Sequence, residues 1–235
     1  MKHPFTGHYD RQLLLEYMMG PNAMLICEEM ADGLDIRPGM RILDLGCGMG
    51  LSSILLAGKC KAKVTAADLW IDPTDNFLRF KAQGFEDHIF PVSVDATKDI
   101  PFARGYFDML LCIDAYHYFG SNREMLPRLA AFVRPGGTIA MAIPGLKKDF
   151  ENGIPPELQP FLREDMNFYS RHWWKDLWEG ESGVEVMLCR DMPCHDEAWS
   201  DWLLSPNPYA RQDVEMMKAE AGLYFATIQI TARVL

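Results

Sequence analysis

The residues with the clearest potential for chemistry are three glycines, Gly46, Gly48 and Gly50, which alternate directly after an apolar run. The run, at 41–45, reads as a buried strand, and glycines after a strand allow a tight turn that a ligand can approach closely. A dinucleotide pattern, GxGxxG, would need its third glycine at position 51, where the chain has Leu51. The spacing therefore predicts a ligand-binding turn but disfavours a nicotinamide dinucleotide.

Two acids follow the glycine turn, each at the end of a predicted strand. "VTAADLW" ends with Asp68, where a carboxylate can accept hydrogen bonds from both hydroxyls of a ribose, although Asp68 alone would also fit a helix cap. "VSVDATKDIPF" places Asp95 before Ala96, which in isolation fits an ordinary turn. Cys47, inside the glycine turn, is more simply a small buried residue than a nucleophile.

Together these stretches resemble the class I S-adenosylmethionine-dependent methyltransferases. "DLGCGMG" is similar to the family pattern (D/E)xGxGxG, and "YFDMLLCIDA" and "LPRLAAFVRPGGTIAMAIP" resemble the family's fourth strand and its later helix, turn and fifth strand. The resemblance covers residues 36–145 in the family's order. It implies S-adenosylmethionine as cofactor, S-adenosylhomocysteine as product, and a cofactor-binding set of Asp44, Gly46, Cys47, Gly48, Gly50, Asp68, Leu69, Asp95, Ala96 and Asp114.

The segment "DAYHYFG", residues 114–120, follows the predicted fourth strand, which in this family ends beside the transferable methyl group. His117 is the candidate catalytic base because imidazole titrates near neutral pH, but a packed structural histidine fits the sequence equally well. Asp114 is expected to bond the cofactor's amino group, orient His117 or cap the following helix. Tyr116 and Tyr118 are expected either in the substrate pocket or in the core.

Aromatic residues elsewhere supply further candidates for the substrate pocket. "RHWWKDLWEG" places His172, Trp173 and Trp174 on a predicted helix, with tryptophans recurring on one face. Such a stripe is more often packing than a substrate surface. If it faces the cleft, its rings would suit an aromatic or cationic acceptor. Tyr9 and Tyr17, in the N-terminal helices, are expected to close over the cofactor, as N-terminal helices do in many members of the family.

Composition limits the partners. The net charge is -10, and the basic residues are scattered, which argues against a nucleic-acid partner. The first ten residues lack an apolar leader core, and no apolar run reaches the roughly 18 residues of a membrane span. Six cysteines without CxxC spacing predict reduced thiols and a cytoplasmic protein, and Cys189, Cys194 and His195 match no zinc module, so no metal is expected. The expected partner is a small molecule, with no nucleic acid and no membrane, and a homodimer is allowed.

Strands alternate with helices along the chain, which predicts an α/β fold with helices on both faces of a parallel sheet. With the family resemblance, the expectation becomes a seven-stranded, mostly parallel, doubly wound sheet with N-terminal helices and a helical insertion after strand 5. We expect one methyltransferase domain over 1–235. It divides into an N-terminal helical cap at 1–35, a cofactor-binding core at 36–145, a substrate-cap insertion at 146–182, and C-terminal strands and a helix at 183–235.

The resemblance implies a methyltransferase that acts on a small molecule. Other functions stay open: a macromolecular acceptor such as tRNA or protein, a lipid acyl chain, or a protein that binds the cofactor without catalysis. The motifs report binding rather than turnover, and they do not indicate whether N, O, S or C is methylated.

Overall fold

The computed structural model describes residues 2–98 and 100–235, which fold as helices around one sheet. The helices are α1 (Pro4–His8), α2 (Arg11–Tyr17), α3 (Ala23–Ala31), α4 (Leu51–Gly58), α5 (Pro73–Ala82), α6 (Met125–Ala130), α7 (Arg171–Glu179), α8 (His195–Trp202) and α9 (Pro208–Glu220). The strands are β1 (Arg41–Leu45), β2 (Lys63–Asp68), β3 (Ile89–Ser93), β4 (Phe107–Ile113), β5 (Val133–Leu146), β6 (Val184–Asp191) and β7 (Phe225–Val234). Short 3-10 turns lie at Tyr116–Tyr118 and Glu164–Met166. None of the helices in these described residues has the length and apolar character needed to cross a membrane.

Seven strands of the described chain form one sheet in the order β3-β2-β1-β4-β5-β7-β6. Strand β1 pairs in parallel with β2 and β4, whereas β7 pairs antiparallel with both β5 and β6 and is therefore the reversed strand. The strand order switches direction between β1 and β4, so the carboxyl ends of these strands flank the kind of crevice in which α/β sheets bind ligands. The prediction of a seven-stranded, mostly parallel sheet is confirmed.

Apolar side chains cover both faces of this sheet. Alternation along β4 shows the division, because Met109 and Leu111 belong to one buried cluster and Leu110 and Cys112 to the other. The first cluster includes α3, α4 and α8, and the second includes α6 and α7. Strands covered on both faces read as continuous apolar runs, which is why these segments stand out in the sequence.

Helix α7 packs against the edge strand β6 and its neighbour β7. Its Trp174 and Trp178 are completely buried, with ring centroids 5.6 and 5.8 Å from that of Tyr116 in the second cluster. The helix is the crossover between β5 and β6, and its aromatic stripe is the apolar face that covers the sheet. This packing does not support a substrate cap formed by α7, and the interpretation of residues 146–182 as a cap stays a prediction.

The chain between β6 and β7, at 192–224, lies over the first face instead, where α8 packs against α3. Ser205 Oγ and Asn207 Nδ2 donate to the carbonyl oxygens of Leu15 and Met18 at 2.8 and 3.1 Å. These bonds hold the N-terminal turn that follows α2 beside the crevice. The whole-domain division predicted from the sequence is otherwise untested and stays a prediction.

Candidate active site

The glycine turn connects β1 to α4 at the crevice. Gly46 and Gly50 have left-handed backbones, with φ of 73° and 88°, which residues with a side chain rarely adopt. A Cβ at Gly46 would lie 2.4 Å from the Cβ of Ala115, and one at Gly50 would lie 2.3 Å from the Phe80 ring. Glycine is needed here because β1, the end of β4 and α5 meet without room for a side chain.

Asp68, at the end of β2, fixes both the glycine turn and its own loop. Its Oδ2 accepts from the backbone N–H of Gly48 at 2.8 Å, and its Oδ1 accepts from those of Trp70 and Ile71 at 2.8 and 3.0 Å. A carboxylate offers about four acceptor positions, so Asp68 keeps hydrogen-bonding capacity. Bonds from Asp68 to ribose hydroxyls stay a prediction, and its position is compatible with them.

A cavity of about 330 Å³ lies between the glycine turn, the ends of β2 and β4, and the N-terminal turn. The predicted residues that line it are Gly46, Cys47, Gly48, Asp68, Leu69, Asp95, Ala96, Asp114, Tyr17 and Tyr118. The predicted residues outside its lining are Asp44, Gly50, Tyr9, Tyr116, His117, His172, Trp173 and Trp174. The structure therefore brings together most of the predicted cofactor set, but few of the predicted substrate residues.

Asp44 lies behind the glycine turn rather than on the cavity. Its Oδ2 accepts from the hydroxyls of Ser52 and Ser53, both at 2.6 Å, at the start of α4. Burial raises the pKa of Asp44 to about 6, and the two serine bonds partly offset that rise. Asp44 thus supports the turn from inside the protein, and the structure does not place it in contact with a ligand in the cavity.

The loop after β3 brings Asp95 and Ala96 to the cavity wall. Asp95 accepts from the hydroxyl and the N–H of Thr97 at 2.6 and 2.9 Å and pairs with Lys98 at 3.1 Å. The bonds from Thr97, and then that from Lys98, lower the pKa of Asp95 to about 2, so it is ionised at neutral pH. Cys47 also lines the cavity, and burial raises the pKa of its thiol well above the ordinary value, which argues against a nucleophile.

The end of β4 is divided between the cavity and the interior. Asp114 has a left-handed backbone, with φ of 56°, and it lines the cavity beside Gly20, where a Cβ would lie 2.1 Å from its Oδ2. Burial raises the pKa of Asp114 to about 7, and the charge of Asp213 on α9 adds to the rise. Tyr118 lies on the cavity as well. The strand end therefore contributes one acid and one phenol ring to this wall.

His117 packs into the interior instead. It is 5% exposed, its ring packs against Tyr118 and Phe168 with centroids 3.9 and 5.7 Å away, and its Nδ1 has no hydrogen-bond partner among the described residues. Burial lowers the pKa of His117 to about 4, so its ring is neutral at physiological pH. The structure does not bring His117 to the cavity, and the packed histidine is the interpretation that its geometry favours.

The N-terminal turn contributes more to the cavity than its sequence indicated. Tyr17 lines the cavity with residues 18–21, whereas Tyr9 donates from its hydroxyl to Oε1 of Gln83 at 2.5 Å, outside the lining. In the sequence this turn was visible only as a helix break at a Gly-Pro pair. Trp70 is a second lining residue that sequence reasoning missed, although its position two residues after an acid at a strand end was a usable signal.

The residues predicted on α7 lie elsewhere. His172 is exposed, and Trp173 stacks on Tyr169 with ring centroids 3.8 Å apart. Trp174 is buried with Tyr116 in the second cluster. None of these residues lines the cavity, and Trp173 and Trp174 pack against other rings, so the geometry does not support a substrate pocket formed by α7, which stays a prediction.

A family model matches the part of the chain that contains the glycine turn and the end of β4. Residues 42–137 match the model of a family described as a methyltransferase domain. The matched segment runs from β1 through the glycine turn and the end of β4 into β5. Together with the sheet order, the match confirms the resemblance of this segment to the class I S-adenosylmethionine-dependent methyltransferases.

Individual relatives are distant. The chain is 29% identical to methyltransferase GfsG of Streptomyces halstedii over 116 residues, 49% of this chain and 41% of that protein. It is 26% identical over 188 residues to the 27-O-demethylrifamycin SV methyltransferase of Amycolatopsis mediterranei (strain S699), with 68% of each chain covered. A structure of geranyl diphosphate methyltransferase in complex with S-adenosylmethionine has a TM-score of 0.71 at 18% identity, covering 90% of this chain and 85% of that one, and it shows the fold alone. The first curated relatives are longer proteins, of which this chain spans 41%, 21% and 51%.

Proposed function

We propose that this protein transfers a methyl group from S-adenosylmethionine to a small-molecule acceptor. The observation that carries the proposal is the cavity shared by the glycine turn, Asp68 and the end of β4. Its volume suits a small ligand rather than a macromolecule. In the described chain no Lys or Arg lines it, which argues against a tRNA backbone as acceptor. The rifamycin relative, named for a small acceptor, supports the same class.

The residues on the cavity fit this cofactor. The turn at 46–50 leaves its backbone open to close approach, Asp68 keeps acceptor capacity for ribose hydroxyls, and Val94 and Ala96 offer apolar walls for an adenine ring. When bound, the cofactor supplies a methyl group that its sulfonium already activates. The protein then has to hold and orient the acceptor and exclude water, and for well-aligned reactants this is worth about 7–11 kcal/mol of the barrier.

The acceptor side of the cavity is the wall formed by the N-terminal turn, Asp114 and Tyr118. We assign the proton-accepting role predicted for His117 to Asp114, because Asp114 is the carboxylic acid at the end of β4 that lines the cavity. A carboxyl group with a pKa of about 7 is half ionised at neutral pH, which is the range in which general bases work best.

Two measurements test the proposal. Calorimetric titration with S-adenosylhomocysteine and with NADH should give binding only to the former, and S-adenosylmethionine should yield S-adenosylhomocysteine when a panel of small acceptors is added. Asp68→Asn should weaken S-adenosylhomocysteine binding by about tenfold or more, because a charged acceptor of three N–H groups is lost, whereas Asp176→Asn, an exposed acid on α7, should not. Binding of NADH alone would refute the proposal, and cofactor binding without turnover on any acceptor would leave a binding protein.

We also propose a cytoplasmic site of action without a nucleic-acid partner. The net charge of -10 and the six free cysteines support it, because reduced thiols suit a reducing compartment. A homodimer stays a prediction, which light scattering on the purified protein would decide.

A further inference from the structure

Asp114 differs from the other acids on the cavity in having no partner. Asp68 accepts from three backbone N–H groups, and Asp95 is bonded to Thr97 and Lys98. The carboxylate of Asp114 accepts no hydrogen bond from the described residues, and its left-handed backbone directs it to the cavity wall. A partly buried carboxylate without a partner is costly, so its position at a ligand cavity points to a ligand that donates a hydrogen bond or positive charge to it.

The charge around Asp114 specifies the sign of that ligand. The ionisable neighbour whose charge acts on Asp114 is a second acid, Asp213, whose Oδ2 accepts from Trp202 Nε1 at 2.8 Å. Desolvation, and then the charges of both acids, raise the pKa of the Tyr118 phenol to about 12. No Lys, Arg or His of the described chain lines the cavity to offset this negative charge. The negative charge of the ionised Asp114 at this wall therefore has no neighbouring positive charge, which a cationic ligand would supply.

Two aromatic rings lie at the same wall. Tyr118 and Trp70 are 60% and 65% exposed, and their rings meet edge to face with centroids 5.3 Å apart. Large exposed rings beside a ligand cavity attract a cation through the negative faces of their π systems. The rings come from the ends of β4 and β2, so the contact spans the cavity from the acceptor side to the cofactor side.

We propose that the acceptor is an amine that binds as its ammonium ion, with its nitrogen against the Asp114 carboxylate and beside the Tyr118 ring. This inference rests on the proposed function and names its substrate class. Asp114 then takes one proton: an N–H bond of the ammonium breaks, an O–H bond forms on the carboxylate, and the electron pair stays on nitrogen. The neutral amine so formed has the lone pair that methylation requires.

Binding can be measured without turnover. The protein is saturated with S-adenosylhomocysteine, so that the cofactor's own ammonium site is filled, and titrated by ligand-observed NMR with n-butylammonium and with 1-butanol, which match in size but differ in charge. We expect the ammonium to bind at least about tenfold more tightly. Asp114→Asn should remove most of that preference, and Asp176→Asn, which changes the same charge at a distant exposed site, should keep it.

Gly20→Ala gives a second variant in case Asp114→Asn does not fold. A Cβ at position 20 would lie 2.1 Å from Asp114 Oδ2 and displace the carboxylate, so it should reduce the ammonium preference while Asp114 itself is retained. Equal binding of butylammonium and butanol, or a preference that survives both variants, would overturn the inference. So would an Asp114→Asn protein that loses S-adenosylhomocysteine affinity instead, because Asp114 would then belong to the cofactor. Failure of wild-type protein to bind S-adenosylhomocysteine would refute the proposed function itself.

Discussion

The segment at 114–120 and helix α7 carry similar aromatic sequences, and the sequence suggested the same pocket for both. In the structure the first segment reaches the cavity with Asp114 and Tyr118, whereas α7 contributes only to the buried second cluster. The two regions touch through Tyr116, which lies against both tryptophans of the helix. The difference teaches that aromatic content does not mark this site. What marks the site is an acidic residue with a left-handed backbone at the end of a strand, where the chain turns beside the cavity.

The largest expected effect lies on the α7 side. Trp178→Ala should lower the free energy of unfolding by about 3–5 kcal/mol, because it empties a fully buried indole site between α7 and Tyr116. Urea denaturation followed by circular dichroism measures the loss. Binding of S-adenosylhomocysteine by the folded fraction should be unchanged. Trp178→Phe, which fills most of the volume, is the matched control and should lose less stability.

A loss of cofactor affinity in folded Trp178→Phe would break the distinction between the two regions, because it would give α7 a part in binding.

On the cavity side, Asp114→Asn should stabilise the protein. The pKa of Asp114 is raised from its ordinary 3.8 to about 7, so the folded state holds a proton that the unfolded state has released over this range. Stability of the wild type therefore falls as pH rises from about 4 to about 7, and the full cost of the buried charge is present above that. The variant, which carries no charge, should be more stable by at least about 1 kcal/mol at pH 8 and equal at pH 4.

Urea titrations at both pH values test this, with Asp176→Asn as a charge-matched control. A variant less stable at pH 8 would mean that the carboxylate has a structural partner. A gain in stability joined to a loss of ammonium binding is the signature of a residue kept for function at a cost in stability.

His117 belongs to the segment at 114–120 but packs inward, and its replacement sharpens the comparison. Its folded pKa is about 4 against an ordinary 6.5, so the unfolded state takes up a proton first as pH falls. The wild type therefore loses stability from about pH 6.5 down to about 4. Over this pH range the free energy of unfolding of His117→Phe should fall by about 1 kcal/mol less than that of the wild type, and at pH 8 the two should differ little. His117→Gln serves if the larger ring does not fit. Retained turnover is expected, and a turnover loss at pH 8 in a folded variant would restore His117 as the base.

The smallest effect should come from Tyr116→Phe. The Tyr116 hydroxyl is buried, and its polar neighbour, the Trp178 indole, makes no hydrogen bond of good geometry with it, so removal of the hydroxyl deletes a poorly satisfied polar group while the ring stays in place. The melting temperature should stay the same or rise slightly, with a change in unfolding free energy below about 1 kcal/mol. A clear loss of stability would reveal a partner for the hydroxyl, such as a bridging water.

The cofactor side could be read from the sequence because its elements are local. Gly46, Gly50, Asp68 and Asp95 each lie at the end of a strand or within five residues after it, and the strand order brings these ends together. The acceptor side could not be read in this way, because its wall joins residues 17–21 to the end of β4 with Asp213 nearby, and no short-range pattern links segments so far apart. Orientation was the other limit: a single 3-10 turn sends Tyr116 and His117 inward and Tyr118 outward, which residue type alone does not reveal.

The bonds from Ser205 and Asn207 to Leu15 and Met18 have a consequence for how the protein is made. During synthesis the glycine turn, Asp68 and Asp95 are all made before half of the chain exists. The carbonyl groups of Leu15 and Met18 can form these hydrogen bonds only after residues 205 and 207, near the end of the chain, have been synthesised. A nascent or truncated chain that stops before 205 would thus contain the glycine turn, Asp68 and Asp95, but would lack the hydrogen bonds that hold the N-terminal turn on the opposite side of the cavity.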